Sequence, residues 1–77
     1  MPHVIIKLYP GRSEDVKRAL ATRINQAVID SLKVPDEVIS IAIEEVAKDA
    51  WDEQVKKVDI VPKQKIIYKH SKSSKVG

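Results

Sequence analysis

A chain that opens Met1-Pro2 carries the means to make an uncommon base. Removal of Met1 would leave Pro2 with a free secondary amine whose lone pair is held in one direction by the ring. An ordinary α-amino group titrates at about 7.7–8.0, nearer neutrality than a lysine. A base is most effective when its pKa lies close to the working pH. With Met1 retained, the same nitrogen is an amide with no basic lone pair, and Pro2 is simply a strand-initial proline. A second chemical group lies ten residues on, in the turn Pro10-Gly11-Arg12-Ser13. Arg12 is permanently charged and can grip a carboxylate in a two-point fork. Taken alone, it is equally a solvated turn residue. Trp51 offers a large apolar surface, as a substrate wall or as a packing anchor. His3 and His70 are far apart and show no ligand spacing, and cysteine is absent, so neither disulfides nor a cysteine-based metal site is expected.

The elements that must hold these groups follow from the apolar periodicity. Residues 3–9 alternate, with Val4, Ile6 and Leu8 on one side and His3, Ile5, Lys7 and Tyr9 on the other, as in a strand. Pro10 and Gly11 end it. Ser13 is a natural N-cap, and Glu14 and Asp15 put negative charge in the first turn, where the helix dipole favours it. Val16, Leu20, Ile24, Ala27, Val28 and Leu32 then recur at helical spacing over about five turns. Residues 38–46 alternate again, with Ile39, Ile41 and Ile43 opposite Ser40, Ala42 and Glu44. Strand, helix and strand with short links predict a two-layer α+β fold: a β-α-β unit with parallel strands and a right-handed crossover. Beyond Val46 the pattern is weaker. Trp51, Val55 and Val58 suggest a helical turn within a loop, and Pro62 suits the start of a short C-terminal helix.

Composition narrows the function further. Seventy-seven residues make a single small domain with a modest core. The net charge of +3 comes from the C-terminal end, where five lysines follow Asp59 without an acid. The nine bases and eleven acids up to Asp59 leave the body slightly acidic, which argues against a nucleic-acid surface. Residues 71–77 read as a flexible basic tail. No apolar run approaches a membrane span and no signal-peptide pattern is present, so the expected location is the cytoplasm. A two-stranded parallel sheet with one helix leaves a face and both edges open, which implies a homo-oligomer.

With these features in place, the chain resembles the 4-oxalocrotonate tautomerase family. The likeness rests on Met-Pro opening a strand, the "PGRS" turn, one long helix, and a second strand followed by an aromatic, over about the first fifty-one residues. It implies a keto–enol tautomerase without cofactor or metal, acting on a small enol or keto acid. Pro2 would be the general base, Arg12 would bind the substrate carboxylate or the developing enolate, and Trp51 would form an apolar wall. Ser40 stands where some members have a second arginine; it is a candidate substrate-binding residue through its hydroxyl, and a dicarboxylate held by two arginines is not expected. Trp51 and the helical C-terminus are most like the dimeric phenylpyruvate-type subgroup. A 2-hydroxy-enoate such as enol phenylpyruvate is the preferred substrate class, ahead of 2-hydroxymuconate-type dienols. A dimer is favoured, with a hexamer as the other assembly.

Two other readings remain open at this level. One is a catalytically silent oligomeric scaffold or binding protein of the same fold. The other is a superfamily dehalogenase or hydratase, in which Glu44, Glu45, Asp49 or Asp52 would activate water. For the tautomerase itself, a strand from Pro2 to Pro10 spans about 25 Å at roughly 3.3 Å per residue. Arg12 is therefore expected to serve the Pro2 of a neighbouring subunit.

Overall fold

The computed structural model describes residues 1–72, in two compact units: 1–45, and the described part of 46–77. The first unit is a β-α-β motif. Strand β1 (His3–Leu8) leads through the Pro10–Ser13 turn to helix α1 (Glu14–Leu32), and β2 (Ser40–Glu45) returns parallel to β1. The α+β class and parallel pairing read from the sequence are thus present. Register pairs His3 with Ser40, Val4 with Ile41, Ile6 with Ile43 and Leu8 with Glu45.

Local chemistry explains where α1 starts and stops. The Ser13 side chain accepts the Val16 N–H at 3.2 Å, and its carbonyl takes the first helical bond from Lys17 N–H at 3.1 Å. At the other end the Lys33 N–H makes a last helical bond to the Ile29 carbonyl at 2.9 Å, and Lys33 then turns left-handed, at φ 57° and ψ 46°, taking the chain out of the helix. A tight turn over Asp36–Val38 then delays β2 until Ser40, two residues later than the alternation predicts. Val38 N–H to Pro35 and Ile39 N–H to Asp36 close this turn, and Asn25 of α1 donates to the Asp36 carboxylate at 2.6 Å.

Helix α1 covers the face bearing Val4, Ile6, Ile41 and Ile43, as the pattern predicts. The stripe that it turns inward differs from the expected one. Lys17, Leu20, Ala21, Ile24, Val28 and Ile29 are half-buried, whereas Val16 and Leu32 are exposed at 53% and 58%. Lys17 earns its inner position by charge: its ammonium lies 2.9 Å from Glu14 and 3.3 Å from Glu45, at the end of β2. The aliphatic stem packs while the head stays paired.

In the second unit a 3-10 turn over Lys48–Ala50 leads through Trp51 into a π-helix over Asp52–Ile60. A further 3-10 stretch over Val61–Ile66 contains Pro62 in its first turn and is kinked at Lys63. The helical turn expected around Trp51 and Val55 is therefore longer and wider than the sequence suggests. Bonds span five residues, as from Val61 N–H to the Lys56 carbonyl, so the inner side shifts from the α-helical pattern. Val55 is buried and Ile60 half-buried, while Val58 is 52% exposed. The short C-terminal helix predicted to start at Pro62 is a 3-10 stretch that ends at Ile66. Residues 73–77 of the expected tail lie outside the described residues.

Candidate functional site

Pro2 sits at the head of β1, half-buried, with its carbonyl accepting the Ser40 N–H at 3.2 Å. That bond continues the parallel ladder by one step and fixes the first residues of the chain to β2. Met1 beyond it is 96% exposed, so the bond joining it to Pro2 extends from a held strand end. Ser40 is brought beside Pro2 by the same pairing. Its hydroxyl and His3 Nδ1 lie 2.6 Å apart, across the register pair. The side chains of His3 and Ser40 occupy the sheet face that α1 does not cover, and both residues are exposed.

Arg12 lies past the other end of β1. The turn that carries it depends on Gly11, whose φ of 128° is one that residues with a Cβ rarely adopt. Ser13 follows as the cap of α1, so Arg12 stands exposed beside the helix N-terminus. Six extended residues separate it from Pro2 in the same unit, and the structure does not bring these two groups together within that unit. Trp51 belongs to the second unit, half-buried, immediately before the π-helix.

A groove of about 210 Å³ opens between α1 and β2, lined by Glu14, Lys17, Arg18, Ala21, Ile41 and Ile43. None of the sequence-predicted site residues lines it. One carboxylate and two cations line it. Hydrogen bonding and the charge of Lys17 hold the Glu14 carboxyl below the usual glutamate value, and hydrogen bonds to Glu14 and Glu45 raise the Lys17 ammonium above its own. These ion pairs join α1 to the sheet.

His3, which the sequence places only on the strand side of Ile5, Lys7 and Tyr9, also belongs to the cluster of Pro2 and Ser40. Its partner is 37 residues away, and only the β1–β2 register places them side by side. An exposed histidine next to a candidate base was the available signal.

Comparison with known proteins adds to this geometry. A family model described as tautomerase enzyme matches residues 2–59, beginning at Pro2 and extending across both units. A probable tautomerase of Xylella fastidiosa is 38% identical over 60 residues, covering 78% of this chain and 73% of the relative. A probable tautomerase of Bacillus cereus is 41% identical over 51 residues, 66% of this chain and 84% of the relative. Tautomerase PptA of an Enterobacter species is 36% identical over 64 residues, 82% of this chain and 84% of the relative.

Proposed function

This chain belongs to the tautomerase family of enzymes, and we propose that it is a cofactor-free keto–enol tautomerase whose general base is the Pro2 amine, uncovered by removal of Met1. The observation that carries the reading is the hydrogen bond from Ser40 N–H to the Pro2 carbonyl, which holds that residue at the end of a ladder. A base on a frayed terminus would spend little time aligned with a substrate, whereas one pinned to a sheet is pre-organised.

In the forward direction the Pro2 nitrogen takes the proton of an enol O–H, leaving an enolate, and the resulting ammonium returns a proton to carbon. No electron leaves the substrate and no group is transferred. Arg12 binds the carboxylate of a 2-hydroxy-enoate, with the backbone N–H groups at the start of α1 adding to the attraction for an anion. By the family resemblance Trp51 would supply an apolar wall, and an indole set against the amine would disfavour its charged form and keep the base free near neutral pH. Ser40, with a hydroxyl and no positive charge, suits a substrate with one carboxylate, such as enol phenylpyruvate, better than a dicarboxylate.

The working form is a homo-oligomer, a dimer in the first instance, acting in the cytoplasm. Among residues 1–45 no side chain is fully buried, Ile5 is 53% exposed on the face opposite α1, and β1 and β2 each have one unpaired edge. A second copy that covers this surface would also bring an Arg12 to Pro2 from outside. The 77 residues would then act as one tautomerase-like domain, a view supported by the family match across both units.

The direct test is ketonisation of phenylenolpyruvate and 2-hydroxymuconate, followed by the loss of enol absorbance. Pro2→Ala should lower kcat/KM by at least a hundredfold. An undiminished rate in that variant would remove Pro2 from the mechanism.

A further inference from the structure

The pair formed by His3 and Ser40 lies next to Pro2 in the strand register, and the scheme above gives His3 no part. Its geometry is specific. His3 Nδ1 and Ser40 Oγ are 2.6 Å apart, and the Ser40 backbone is itself bonded to the Pro2 carbonyl at 3.2 Å. Both side chains lie on the face of the sheet opposite α1, and both residues are exposed in the single chain.

A serine hydroxyl has one hydrogen to donate, so what it offers a substrate depends on what its other partner takes. When His3 Nδ1 carries no hydrogen, the Ser40 O–H is spent on it, and Ser40 turns lone pairs towards any neighbouring oxygen. When Nδ1 carries a hydrogen, the imidazole donates to Oγ, and the Ser40 hydrogen is free to point elsewhere. Only the second arrangement stabilises an oxygen that is gaining negative charge.

We propose that His3 is a positioning residue that holds Ser40 as a hydrogen-bond donor to the C2 oxygen of the substrate, the atom that bears the enolate charge. This inference rests on the tautomerase reading and deepens it. Proton balance is unchanged: Pro2 takes and returns the proton, and neither His3 nor Ser40 gains or loses one over a turnover. A preorganised donor aimed at a developing oxyanion contributes about a hundredfold or more in kcat where water is excluded. For an exposed pair a loss of about tenfold on removal is expected.

The experiment compares wild type with Ser40→Ala, His3→Ala, His3→Asn and the double alanine variant, all in the Met1-free chain, on phenylenolpyruvate. Ser40→Ala and His3→Ala should each lower kcat about tenfold with KM nearly unchanged, and the double variant should fall no further than either single one. His3→Asn, whose amide can still donate to Oγ, should recover most of the rate. Thermal unfolding of each variant separates these effects from loss of folded protein. Wild-type kcat in Ser40→Ala, independent losses in the double variant, or failure of His3→Asn to recover the rate overturns the assignment. Pro2→Ala, run alongside, distinguishes the two levels. If it is inactive while Ser40→Ala is unimpaired, only this inference falls; if it is fully active, or the wild type is inactive, the tautomerase mechanism falls and this inference with it.

Discussion

Gly11→Ala is the substitution whose cost can be worked most directly from the structure. Gly11 has φ 128°, and a Cβ built on its backbone meets nothing within 4 Å. Steric collision with neighbours therefore contributes nothing, and the penalty is that of holding an L-residue in a backbone region that essentially only glycine occupies, about 1–3 kcal/mol. Alanine also narrows the unfolded ensemble, which offsets about 0.4–1 kcal/mol of that. The net expectation is a loss of about 1–2 kcal/mol. For a domain of this size each kcal/mol lowers Tm by roughly 4–8 °C, so a fall of about 5–15 °C should be seen by circular dichroism. Protein concentration must be held constant, because an oligomer's Tm depends on it. An unchanged Tm would show that the turn relaxes freely and that Gly11 does not fix the place of Arg12. A loss well above about 4 kcal/mol would mean that the added methyl meets an obstacle, contrary to the open space around it.

Lys33→Gly should act in the opposite direction: relieving the left-handed backbone at φ 57° stabilises by about 1 kcal/mol, read as a higher denaturant midpoint at constant slope. Lys17→Met probes the ion pairs at the head of α1. Glu14 is held below its ordinary pKa, so its contribution is present above the usual glutamate range and is lost as pH falls through the folded value. Lys17 is raised, so its contribution is present below the usual lysine range and is lost as pH climbs through the folded value. The stability difference between wild type and Lys17→Met should therefore be greatest near neutral pH and shrink towards both extremes; a difference independent of pH would refute the pairing. Mixing inactive Pro2→Ala and Arg12→Ala chains under subunit exchange should restore part of the activity if each site combines residues of two subunits. No recovery, with exchange verified by mass, would place both residues in one chain's site.

The β-α-β core was legible because alternation and helical periodicity are set by local geometry, and because Ser13, Gly11 and Pro35 punctuate it with their own backbone chemistry. What was not legible depended on distant partners. Lys17 reads as a surface residue until Glu45 is seen to meet it at the end of β2. Val16 and Leu32 fit the apolar stripe by type, yet the rotation of α1 that turns Leu20, Ile24 and Val28 inward leaves them outside. Val58 is exposed although its spacing from Val55 suits one side of an α-helix, because the backbone bonds of residues 52–60 span five residues. Among the proposed site residues, Pro2 and Arg12 were visible from their chemistry and position. The closeness of Ser40 to Pro2 and the coupling of His3 to Ser40 required the strand register.

The central claim concerns one nitrogen, so its most direct test changes that nitrogen alone. The chain can be prepared with Met1 retained and with Met1 removed, each form verified by intact mass, and the ketonisation of phenylenolpyruvate measured for both. The side chains from Pro2 onwards are identical, and the Pro2 nitrogen is an amide in one form and an amine in the other. The account predicts that activity resides in the Met1-free form and falls to the uncatalysed rate when Met1 is retained. Equal rates in the two forms would contradict it.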